Sequence, residues 1–142
     1  MPKVYFSLQE ANELVKKIRM DVERVGFLVE SLELLDNTKV IFDEANMENL
    51  MLEVELNKSF HEKNLELYML LGDLIKKGCV IRDINDIEID FYSKLKDKDI
   101  FLCWKPSEEK IFFWHEMGEQ KDKRKPVKSL ENSYLNRLER LR

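Results

Sequence analysis

Between Ser7 and Leu32 the apolar residues Ala11, Leu14, Val15, Ile18, Val22, Val25, Val29 and Leu32 recur in steps of three and four. The steps average nearer 3.5 than 3.6 residues, the spacing of a coiled-coil seam. Glu13, Lys17, Arg24 and Glu30 take the opposite side, so the segment reads as an amphipathic helix with one face to bury. Ser7-Leu-Gln-Glu10 marks its start as a capping box, the Ser7 hydroxyl accepting from the first turn while Glu10 reaches back to the Ser7 amide. About 28 residues make a rod roughly 40 Å long. A compact domain of this size is narrower than that, so the chain must be organised around the rod.

Asp36-Asn37-Thr38 interrupts the pattern, and a second helix is expected from about Glu44 to Lys77, with Gly78 placed as the residue just past its end. The short break predicts an antiparallel hairpin. Two apolar stripes run along the second helix: Met47, Leu50, Met51, Val54, Leu65, Tyr68 and Ile75 on one side, Leu52, Leu56, Phe60, Leu67, Leu71 and Leu74 near the other. Two stripes need two partners. The first helix covers one, and the other must meet either the C-terminal half of this chain or a second copy; the expectation is a homodimer with a helical interface, with another protein as a further partner for the rod. His61, in line with the first stripe between Val54 and Leu65, reads as an interface residue.

The 142 residues suit one domain (1–142), divided into a helical hairpin over 7–77, a small β region over 78–127 and a C-terminal helix over 128–142. Apolar residues at 44% beside 37% charged ones, with 4 Gly and 3 Pro, fit long solvated helices better than a turn-rich β fold. The opening Met-Pro-Lys-Val-Tyr lacks an apolar signal core, and no run approaches the ~20 apolar residues of a membrane span. The expected location is the cytoplasm, where Cys79 and Cys103 read as small core residues. Net charge is −4, yet from Lys121 onward eight basic residues stand against three acidic ones. A basic tail on an acidic body can fold back on it, keep the chain soluble, or bind nucleic acid; the last is the less favoured reading.

After Gly78 the period changes to two. In Glu88-Ile-Asp-Phe-Tyr92, Ile89 and Phe91 share one face and Glu88 and Asp90 the other. Ile100–Trp104 and Lys110–His115 are apolar runs joined by Lys105-Pro-Ser-Glu-Glu109, a hairpin whose two faces both need cover. Gln120–Pro126 reads as a loop by composition, and Ser129 as the cap of a last helix. The fold class is therefore α+β: a long antiparallel helical hairpin packed on a small antiparallel β-sheet, with a C-terminal helix.

The polar candidates lie in and around this sheet: Asp83, Asp90, Glu108, His115, Glu116 and Arg124, with Trp104 beside them. A His with two carboxylates suits a divalent metal ion; a His oriented by one carboxylate suits a general base. His115 and Glu116, as strand neighbours, point to opposite faces, so a metal would take His115 with Asp90 or Asp83. A metal-dependent hydrolase would use His115 with Asp90 and Glu108. The favoured reading of the set is structural, with His115 and Arg124 pairing Asp90 or Glu108 at the rim of an aromatic core, ahead of a metal or catalytic site and of a peptide or small-ligand groove. His115-Glu-Met-Gly-Glu119 imitates a helical zinc motif, but an apolar strand runs into Gly118 where that motif needs a helix. Nucleophile elbows, phosphate-cradling glycine loops and paired CxxC motifs are absent from the sequence. The leading expectation is a dimeric binding or scaffold module with a polar cluster around a strand-end His.

The N-terminal YFSLQEANELV, Gly78, Arg82-Asp83, Asp90-Phe91, Leu102-Cys103-Trp104, Glu108, Trp114-His115-Glu116, and Arg124 ahead of Pro126 together resemble a family of uncharacterised prokaryotic proteins, a domain of unknown function. The resemblance runs from the N-terminus to Pro126 and implies no assigned activity. Ser107 stands where that family usually has Gly, and Gln120–Lys123 replaces its glycine-rich turn. Glycine is what lets backbone amides approach an anion closely, so this chain departs from the family where such a site would lie.

Overall fold

The computed structural model describes residues 3–37, 47–118 and 123–130. Helix α1 runs from Leu8 to Asn37 and helix α2 from Met47 to Lys76. The capping box is formed at both ends: the Glu10 amide donates to Ser7 Oγ and the Ser7 amide to Glu10 Oε1, each at 3.1 Å. The Ser7 amide holds the Glu10 carboxyl below its usual range. Ala11, Val15, Ile18, Val22, Val25, Leu28 and Val29 are the buried face of α1, and Leu14 and Leu32 pack partly buried against the same core. The seam expected of this segment is thus the seam that is buried. The expected α2 start at Glu44 falls outside the described residues.

The end of α2 depends on Gly78. Its φ is +103°, and a Cβ built there would lie 2.9 Å from the Phe6 ring. Only glycine combines that backbone conformation with that approach. The chain then enters a five-stranded sheet of order β1-β2-β3-β4-β5, with all neighbours antiparallel: β1 Cys79–Asp83, β2 Glu88–Leu95, β3 Lys98–Trp104, β4 Phe113–Glu116 and β5 Lys125–Pro126. Lys96 and Asp97, both at positive φ, make the tight β2–β3 turn.

Three segments differ from the sequence reading. Strand β4 begins at Phe113 instead of Lys110, because side chains of α1 take over the backbone groups before it. Asn12 Oδ1 accepts from the Ile111 amide at 2.8 Å, and the Arg19 guanidinium donates to the carbonyls of Pro106, Glu108 and Glu109. Lys125–Pro126, expected within a loop, pairs with Trp114 and Phe113 as a short edge strand, a position that tolerates proline. Ser129 lies inside the helical turn at 128–130, and its hydroxyl donates to the Pro126 carbonyl and accepts from Trp114 Nε1. The rest of the expected C-terminal helix, 131–142, lies outside the described residues.

The sheet has two buried faces built differently. Towards the helices, Cys79, Ile89, Phe91, Ile100, Leu102, Trp104 and Trp114 join α1 in one hydrophobic core. Gly26 lets α1 sit close to Ile87 at the turn before β2. The far face carries Glu88, Asp90, Phe101, Cys103 and His115, all buried as well. Guanidinium groups cover it: Arg82 lies 5.2 Å from the Phe101 ring centre and Arg124 4.2 Å from that of Phe113. A planar, weakly hydrated guanidinium can cover an aromatic and still pair a carboxylate, which a lysine does poorly.

Candidate functional site

The far face is assembled by strand register. Asp90 pairs across β2–β3 with Cys103, and His115 pairs across β3–β4 with Phe101. Residues opposite one another share a face and successive residues alternate, so Asp90, Cys103 and His115 converge from three adjacent strands. One ligand atom from each lies within 4.8 Å of the others.

His115 is 2% exposed and Asp90 is fully buried. The His115 Nε2 lies 3.0 Å from Asp90 Oδ2, and its Nδ1 lies 3.0 Å from the Glu116 carbonyl oxygen. Both ring nitrogens face acceptors, so the doubly protonated imidazolium fits this geometry. Accordingly the Asp90 hydrogen bond, and after it the Glu116 carbonyl, raise the His115 pKa above its usual value against the opposing effect of burial. Arg82 adds a second cation, its Nε 2.7 Å from the same Asp90 oxygen. Asp90 Oδ1, by contrast, is buried with no hydrogen-bond partner among the described residues.

Cys103 donates its thiol hydrogen to Glu88 Oε1 at 3.0 Å. Burial first, and the Glu88 bond second, push that thiol far above its usual pKa, so it is a neutral thiol and not a poised nucleophile. Cys79, on the helix face, is pushed up to about 12 by burial. Beside this group stands a second pair. Glu108 Oε1 accepts from Arg124 Nη2 at 2.7 Å and from the Lys105 amide at 3.0 Å. The Glu108 carbonyl accepts from Trp104 Nε1 at 2.9 Å, so the residue ties the β3–β4 loop to both faces.

Of the residues singled out by sequence, the structure therefore brings His115 and Asp90 into direct contact and joins Glu108 to Arg124. Asp83 is placed elsewhere. The β1–β2 register shifts between Ile81 and Asp83, and Asp83 Oδ1 accepts from the amides of Asn85 and Asp86 in the following turn. Arg82 is the member of that pair that reaches Asp90. Trp104 is also placed elsewhere: it is fully buried on the helix face, with its indole N–H spent on Glu108 and Arg19 stacked 5.3 Å away. The side chain packs in the helix-face core, away from the His115 face. Glu116 points off the far face to pair with Lys98 and Lys125. Sequence reasoning left out Cys103, Glu88 and Arg82; the period-two alternation puts Glu88 with Asp90, but Cys103 and Arg82 follow only from the register.

The raised His115 pKa sets a direction for pH dependence. A group whose folded pKa exceeds its unfolded one contributes all its stability below the unfolded value of about 6.5 and loses it as pH rises through the folded value. In chelator-treated protein, the stability difference between wild type and His115→Gln is expected to be largest below that pH and to shrink above it, as measured by urea denaturation across pH. A pH-independent difference would mean that His115 is neutral in the fold.

Fold and site together define an α+β protein whose helical hairpin carries a five-stranded antiparallel meander with a buried ionic cluster on its outer face. The chain belongs to the family described as "Uncharacterized conserved protein (DUF2203)", whose model matches residues 4–127. That span includes both helices and every residue of the cluster. Comparison with curated proteins and with solved structures finds no match. No helix among the described residues is long and apolar enough to cross a membrane.

Proposed function

We propose that the protein is a cytoplasmic binding or scaffold module that works as a homodimer, joined through the face of α2 that α1 does not cover. The observation that carries this reading is an exposed seam. Positions 47, 51, 54, 58, 61, 65, 68, 72 and 75 alternate steps of four and three along the whole of α2. Met47, Met51, Val54, Leu65, Tyr68 and Ile75 on it are 45–70% exposed. Only Leu67 and Leu74 of α2 are buried, both on the side that meets α1.

A second copy of the chain is the occupant that fits. A strict 3.5-residue spacing over so many turns requires another long helix with the same spacing, which a second α2 supplies. Lys58 and His61, the polar residues in mid-seam, would set its register. A stripe about 45 Å long and about 12 Å wide offers on the order of 500 Å² per copy, or about 1,000 Å² for the pair, the area at which specific interfaces begin. In this reading the His115 cluster is the device that holds the outer sheet face closed without an apolar layer. The basic segment also favours folding back over nucleic-acid binding, since Arg124 pairs with Glu108 and Lys125 with Glu116.

Light scattering on a sizing column tests the reading. Wild type is expected at twice the chain mass at tens of micromolar. The Leu65→Glu/Tyr68→Glu variant is expected at the monomer mass with unchanged helical circular dichroism. A monomeric wild type at that concentration overturns the proposal.

A further inference from the structure

We infer that Asp90, Cys103 and His115 form a binding site for a zinc ion, with Arg82 as the cation that covers Asp90 when zinc is not bound. The inference is independent of the dimer. It begins from the ligand atoms: an imidazole nitrogen, a thiol sulfur and a carboxylate oxygen lie within 4.8 Å of one another, each on a buried residue of a different strand of one rigid sheet.

A second observation points the same way. Asp90 Oδ1 is a buried carboxylate oxygen with no hydrogen-bond partner among the described residues, although its other oxygen receives two donors. A buried acceptor left unmet carries a desolvation cost, and an ion bound beside it removes that cost.

The donor set selects the metal. Magnesium and calcium require oxygen ligands throughout, whereas sulfur with imidazole and one carboxylate is a zinc-type set. Tetrahedral zinc, with bonds of about 2.0–2.3 Å, places its ligand atoms roughly 3.3–3.7 Å apart. His115 Nε2 and Asp90 Oδ2 stand at 3.0 Å, so that pair needs a few tenths of an ångström and the thiol about one ångström of adjustment at most. On binding, the Cys103 thiol proton and one proton of the His115 imidazolium leave to solvent, so the net charge of the site is unchanged; the new Cys103 thiolate and the existing Asp90 carboxylate balance the divalent ion, and His115 binds as the neutral imidazole. Glu88, whose Oε1 already touches the Cys103 sulfur, borders the fourth position.

Access follows from Arg82. Its side chain is 38% exposed while Asp90 beneath it is fully buried, so the guanidinium is the outermost part of the cluster. Turning it toward solvent opens the path to Asp90. Arg82 and zinc thus compete for one carboxylate. This separates the inference from a purely structural reading, in which loss of Arg82 has no effect on any metal.

The test uses full-length protein stripped with chelator and titrated with Co²⁺ as a spectroscopic substitute for Zn²⁺. The expected result is one equivalent per chain, with a thiolate-to-cobalt charge-transfer band, intense tetrahedral visible bands, and displacement of both by Zn²⁺. The thiolate band is expected to vanish in Cys103→Ala. Zinc affinity is expected to fall more than about tenfold in His115→Ala, at least the loss seen on removing even an outer-shell partner. In Arg82→Ala it is expected to rise severalfold. Wild type that gives neither a thiolate band nor a thermal shift with Zn²⁺ overturns the inference, and this needs no variant to fold. Stoichiometric binding that persists unchanged in Cys103→Ala overturns it as well, by placing the metal elsewhere.

Discussion

Replacing Asp90 with Ala is expected to destabilise the protein by about 3 kcal/mol, the cost of breaking a buried ion pair by removing one partner. Asp90 is fully buried and is the acceptor for both Arg82 and His115. Without it two donors converge on an apolar methyl. Arg82 escapes part of the penalty because its side chain is partly exposed, and His115 can lose a proton, which keeps the expected value at the low end of the range for buried pairs. The cost therefore comes from stranding the partners and not from a large net attraction. It follows that Arg82→Met/Asp90→Leu/His115→Phe, which removes all three charges and keeps volume, should recover most of the loss. Urea denaturation of the three proteins decides it. If the triple variant is as unstable as Asp90→Ala, the cluster stabilises the fold by more than mutual satisfaction.

Trp104→Ala is expected to cost about 3–5 kcal/mol, the range for deleting a fully buried aromatic. The side chain has no exposed surface, packs among Ile89, Leu102 and α1, and ties the β3–β4 loop down through Glu108. Trp104→Phe isolates the second role, since it keeps most of the volume and loses only the indole hydrogen bond, for about 1 kcal/mol. Thermal and urea unfolding of the two variants separates packing from tethering. A ligand-contact role predicts the opposite pattern, with little change in stability, and a small loss in Trp104→Ala would contradict the placement of this residue in the core.

These two residues also mark how far the chain could be read without its fold. Both were candidates for contact with a ligand. For Asp90 the alternation in Glu88–Tyr92 correctly set it apart from Ile89 and Phe91, but alternation carries no information on whether the polar face meets water. Arg82 and Arg124 lie over that face, and they come from β1 and from the segment before β5, whose places in the sheet are set by strand pairing. For Trp104 the choice between the two sheet faces depended on its pairing with Ile89, a fact of register. A shift of one residue would have put it on the face that carries Asp90 and His115.

What was legible came from interactions between near neighbours in the chain. The capping box at Ser7, the apolar spacing of α1, the glycine that ends α2 and the β-rich character of the region after it show in residues a few places apart, although what the α1 seam and Gly78 pack against, the sheet and Phe6, does not. The site was a different matter. Asp90, Cys103, His115 and Arg82 are brought together across four strands. Their meeting is set by hairpin length, by the shift between Ile81 and Asp83, and by the start of β4 at Phe113 where Asn12 and Arg19 of α1 hold the chain before it. Neither strand register nor the contacts of Asn12 and Arg19 with the β3–β4 segment leave a periodic trace in the sequence. Thus local spacing was sufficient for the helices, while only the packed sheet decided that Cys103 and Arg82, neither of them a site candidate by sequence, would join Asp90 in the cluster with His115.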